Sequence, residues 1–218
     1  AHARHCDHFR RIVSETDSLR RPDVTGWRRW LWAEDDNVTA AVEWSLDHRP
    51  RADSLTFADG ISESRFRSGR FVENVALMHR MLEGADDAPV AGRIRAYSGM
   101  VWPAFLTGEA ELAFTHNAIA TQLAAAAGDR FYEAAGIWNE AHMYTLGTAD
   151  YERAKDLYEP AIEMVEHDPA DFGSMAGLIY IGRAQSRALA CAAFDDDLPL
   201  LDLAEQRLSE LNDLSLLA

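Results

Sequence analysis

Apolar residues recur along nearly the whole chain at intervals of three and four, which is the period of one helix face. Runs of β-branched residues, which would mark strands, are absent. The pattern predicts helices over residues 4–19, 27–48, 53–67, 70–84, 89–107, 109–127, 130–146, 150–166, 171–193 and 198–213. Each break carries Gly, Pro or Asp, residues that end one helix or cap the next. Arg21-Pro22 closes the first segment, and Asp23-Val24-Thr25-Gly26 reads as a turn. The helix from Trp27 to His48 has an apolar stripe of Trp30, Leu31, Val38, Ala41, Val42, Ser45 and Leu46. Short breaks between long helices imply antiparallel neighbours. The predicted fold class is therefore all-α, with about ten helices.

The segments repeat. Gly69, Gly108 and Ala149 align, with offsets of 39 and 41 residues. Two residues on come Phe71, Ala110 and Tyr151. Five on come Asn74, Ala113 and Ala154, and seven further come Met81, Ala120 and Ala161. Five and twelve residues past a turn lie two helical turns apart on one face, where small side chains let helix axes approach. A period near forty with two helices per unit points to an α-α superhelix of stacked hairpins.

These alanine spacings resemble the second helix of a tetratricopeptide (TPR) hairpin, with Tyr151, Ala154, Leu157, Tyr158, Ala161 and Ile162 the cleanest copy. Trp138 stands where a TPR first helix often has Trp. The period exceeds the usual ~34, and Asn74 and Met81 replace alanines, so the repeats are TPR-like. The TPR register places Arg95, Ser98, Trp102 and Phe105 on the concave face of one first helix. It places Gly136, Asn139 and Met143 on that of the next. A groove with a Trp, an Arg and small residues suits a ligand of mixed polarity; alternatively, Trp102 fills the space between hairpins.

A second motif lies in residues 1–48. Arg4-His5 and Phe9 are followed by Trp27 and Leu31, then by Glu34, Asp36, Asn37, Val38, Ala41, Val42 and Trp44. This stretch is similar to the one leading into the TPR-like region of bacterial STAND-class regulators, the LuxR and antibiotic-regulatory types common in actinobacteria. The resemblance implies a helical lead-in over 1–48 and TPR-like repeats over 49–218. It also implies an NTPase module of the same polypeptide ahead of this segment and a DNA-binding domain elsewhere. The expected role is a non-catalytic sensor and interaction region of a transcriptional regulator, binding a protein partner or a small effector. The alternative is a free-standing TPR scaffold for a peptide or protein.

Charge narrows the partners. The net charge is −15, of which residues 1–84 carry −1 and residues 85–218 carry −14. An acidic surface repels phosphate backbones, so direct nucleic-acid contact by this segment is not expected. No apolar run approaches the ~20 residues needed to span a bilayer, and the start is not a signal peptide. Two distant cysteines, Cys6 and Cys191, give neither a disulfide framework nor metal spacing, which points to a cytoplasmic setting.

No catalytic motif appears. There is no Gly-x-x-x-x-Gly-Lys-[Ser/Thr] loop, no His-Glu-x-x-His around Glu140 and His142, and no Gly-x-Ser-x-Gly. His5 and His8, one helical turn apart beside His2 and Cys6, read as helix surface and partial packing rather than as a metal grip. Glu109, Glu111 and the Asp195-Asp196-Asp197 run read as solvated turns. Cys191 reads as a buried thiol, and Lys155 as part of an exposed helix face. Trp30 and Trp44 are expected to pack into the core, with Trp32 off the stripe and facing a neighbouring domain. No enzyme activity, cofactor or metal is expected.

Overall fold

The computed structural model describes residues 1–15, 17–167, 169–190 and 197–213, with the backbone alone at 169 and 170. The α-helices are α1 (His2–Val13), α2 (Val24–His48), α3 (Arg51–Leu55), α4 (Ala58–Arg67), α5 (Phe71–Leu82), α6 (Val90–Leu106), α7 (Ala110–Ala127), α8 (Arg130–Met143), α9 (Tyr151–His167), α10 (Ser174–Leu189) and α11 (Leu198–Glu210). Among the described residues there is no strand, so the fold is all-α. No helix is long and apolar enough to cross a membrane among those residues.

The chain forms two compact units. One comprises residues 1–18 and 26–123, the other 19–25 and 124–218. In the first, α1 and α2 share one core with the helices that follow. Phe9 and Val13 meet Leu31, Val38, Ala41 and Val42 of α2, Phe57 and Ile61, and Leu77, Met78 and Met81 of α5. Helix α6 packs on both α5 and α4. In the second, α9 packs on α8 and α10, α10 also packs on α8, and α11 packs on α10. Contact with the next helix and the next but one is what stacked hairpins require.

The aligned repeat positions behave alike. Gly69, Gly108 and Ala149 all take left-handed backbone conformations, with φ of 71°, 87° and 54°. Asn74, Ala113, Ala154, Met81, Ala120 and Ala161 are all buried. Two alanines are thus replaced by larger side chains at equally buried positions. Asn74 fits because its amide donates to the Gly99 carbonyl at 2.9 Å. A Cβ at Gly99 would lie 2.7 Å from the Ser62 hydroxyl.

Three boundaries depart from the sequence reading. The segment expected at 53–67 is two helices, broken at Thr56-Phe57. Ser54 and Thr56 donate their hydroxyls to the carbonyls of Arg51 and Asp53, at 2.9 and 2.7 Å, offering the backbone an alternative to the helix ladder. The first helix stops at Val13 rather than 19, and Ser18–Arg20 form a 3-10 turn. Val24, Thr25 and Gly26, read as a turn, begin α2 instead. The orphan N–H groups of Val24 and Thr25 donate to the carbonyls of Leu211 and Asn212, within the second unit.

Candidate functional site

The spacing of three and four puts Arg95, Ser98, Trp102 and Phe105 on one face of α6. All four are half-buried, whereas Ile94, Met100, Val101 and Ala104 are fully enclosed in the core. The Trp102 and Phe105 rings meet edge to face, with centroids 5.5 Å apart. Arg95 carries a partner from its own chain: its Nε lies 2.5 Å from a carboxylate oxygen of Asp17. The other two residues of the expected groove, Asn139 and Met143, lie one turn apart on α8, in the second compact unit. Met143 is fully enclosed, and Asn139 and Gly136 are buried.

The Arg95–Asp17 pair belongs to a polar cluster that joins the turn after α1 to three helices. Ser18 donates its backbone N–H and its hydroxyl to one Asp59 oxygen, at 2.8 and 2.6 Å. The Trp27 indole donates to the Ser18 hydroxyl at 2.9 Å. Burial, reinforced by the nearby Asp17 charge, pushes the Asp59 carboxyl up to about 6 despite the two Ser18 bonds. Nothing in the local pattern foretells this: Asp17 and Asp59 lie in different helix-sized segments, and only the fold brings them together.

Polar side chains of α2 between Glu34 and Trp44 make contacts within the unit. Asp35 accepts from the Ser64 hydroxyl at 2.5 Å and pairs with Arg70 at 3.0 Å. Glu43 holds Arg80 through two bonds of 2.9 and 2.7 Å. Asn37 donates to Glu34 at 2.8 Å. Trp30 and Trp44 are half-buried against the core, and Trp32 is 67% exposed beside the Arg28–Glu63 ion pair.

In the second unit, three aromatic side chains meet at α8, α9 and α10. Trp138 donates to the Leu178 carbonyl at 2.9 Å and stacks on His142, centroids 5.0 Å apart. His142 Nδ1 lies 3.0 Å from the Tyr158 hydroxyl. Burial lowers the His142 imidazole to about 4 and holds the Tyr158 phenol above its ordinary value. Gly182 makes room: a Cβ there would lie 2.7 Å from the Tyr158 oxygen and 2.8 Å from the Trp138 nitrogen. A shallow cleft between α9 and α10 is lined by Tyr151, Lys155, Ser186 and Arg187. Asp197, read as a solvated turn residue, is instead fully buried and pairs with Arg183 and, at 2.8 Å, with Arg187.

The remaining candidates are dispersed. Glu109 and Glu111 are exposed. Cys6 is buried in the core, which raises its thiol, and His5 and His8 pack their rings against Phe9. Glu140 faces Arg153 at 3.9 Å. Cys191, Asp195 and Asp196 lie outside the described residues. Among the described residues no group of three or more His, Cys, Asp or Glu is placed to hold a metal ion. No family model, curated protein or solved structure matches the chain.

Proposed function

We propose that this chain is the sensor and protein-interaction region of a STAND-class transcriptional regulator and acts by binding rather than by catalysis. Residues 1–48 connect it to an NTPase module of the same polypeptide, and residues 49–218 form the binding repeats. The observation that carries the reading is the agreement of the aligned turns. Gly69, Gly108 and Ala149 share a positive φ, and the six positions counted from them are all buried. That is the internal logic of a helical-repeat binding region. The half-buried α6 face gives it a ligand surface, with Trp102 as a flat apolar wall and Arg95 as a cation for an anionic group. Asp17 would be the group such a ligand displaces.

An effector can bias an NTPase module only by binding its two states with different affinity. Trp102→Ala is therefore expected to weaken the effector response more than it weakens folding. The test is the parent reading frame together with its nucleotide chemistry. A phosphate-binding loop upstream, with nucleotide turnover altered by Trp102→Ala, supports the proposal. A parent chain with no such loop leaves a TPR scaffold for a peptide or protein.

A further inference from the structure

We propose that His79 on α5 and His116 on α7 form a binding site for a transition-metal dication of the zinc type, held between their two imidazoles. The starting observation is His116. It is 4% exposed, yet neither ring nitrogen has a hydrogen-bond partner among the described residues. Buried polar groups are almost always partnered, and leaving one unmatched is costly. A neutral imidazole with a free lone pair is also the commonest metal ligand.

The second imidazole is already in place. The His79 and His116 ring centroids lie 5.2 Å apart, with the planes tilted by 57°. A tetrahedral ion with metal–nitrogen bonds of about 2.0–2.1 Å holds two imidazole centroids roughly 5 Å apart. Tilted rings can each aim a nitrogen at one ion, whereas rings stacked face to face cannot. Tyr97 of α6 packs on His116 at 5.8 Å and helps fix its ring. His79 is exposed, so an ion has a route in, and water can fill the remaining coordination positions. Two nitrogen donors suit zinc, nickel and copper rather than magnesium or calcium.

The experiment is a zinc titration of the full chain at neutral pH, followed through the ring resonances of each histidine. His2, His5 and His8 compete for the ion, so the titration is repeated after replacing them with glutamine. The expected result is a joint, saturable shift of His79 and His116, reversed by a chelator and unaffected by the N-terminal changes. His79→Gln, on the surface, should keep the fold and weaken zinc binding at His116 by at least about tenfold. Unmoved rings at millimolar zinc, or a His116 shift that survives His79→Gln at full strength, would overturn the site.

Discussion

Ala149 holds a backbone conformation that alanine rarely takes, with φ of 54°. The aligned positions Gly69 and Gly108 meet the same demand without a Cβ. A left-handed alanine costs roughly 1–2 kcal/mol, part of which glycine forfeits through the entropy of the unfolded chain. Ala149→Gly is therefore expected to raise unfolding free energy by about 0.5–1 kcal/mol, and Gly108→Ala to lower it by about 1 kcal/mol, in urea titrations. A loss of stability in Ala149→Gly, or no loss in Gly108→Ala, would mean that the three turns are not equivalent. Titratable residues set a second expectation. Asp59 is raised from 3.8 to about 6, so the folded state prefers its protonated form, and its contribution weakens as pH climbs through that window. His116 and His142 are lowered from 6.5 to about 4, so their contribution is complete above 6.5 and is lost as pH falls towards 4. The two trends oppose each other. Asp59→Asn keeps an acceptor for Ser18 but removes one trend, so stability should rise at pH 7 and then fall more steeply on acidification. An unchanged slope between pH 7 and pH 4 contradicts this assignment.

At the scale of elements, Gly182 decides how closely α10 approaches α8 and α9. A methyl there would overlap the Tyr158 hydroxyl and the Trp138 nitrogen. Gly182→Ala is expected to cost roughly 1–3 kcal/mol by overpacking, despite alanine's better helix propensity. A neutral or stabilising result in thermal unfolding would show that the helices are free to spread. Most helices could be read from periodicity because each buries one stripe, as α2 does with Leu31, Val38, Ala41 and Val42. The exceptions have local or distant causes. Phe57 interrupts 53–67 where Ser54 and Thr56 turn their hydroxyls back on the backbone. Val24 starts a helix because carbonyls of Leu211 and Asn212 receive its N–H and that of Thr25. The α6 face was legible as a register of side chains, but its ion pair was not. Asp17 reaches Arg95 across 78 positions of sequence, and no spacing rule spans that distance.

For the whole molecule, the distribution of charge limits the partners. Residues 85–218 carry −14, and counterion release on DNA needs clustered basic contacts. The chain is expected not to retard a DNA duplex at about 0.15 M salt, where screening acts over roughly 8 Å. Tight binding that weakens steeply with added salt would refute that expectation. We propose above that these repeats regulate an NTPase module on the same polypeptide. The most direct measurement is nucleotide turnover by the intact parent protein, compared with the same protein lacking residues 49–218. The expected result is a changed rate that no longer responds to effector. Identical rates and identical effector responses in the two proteins would contradict it.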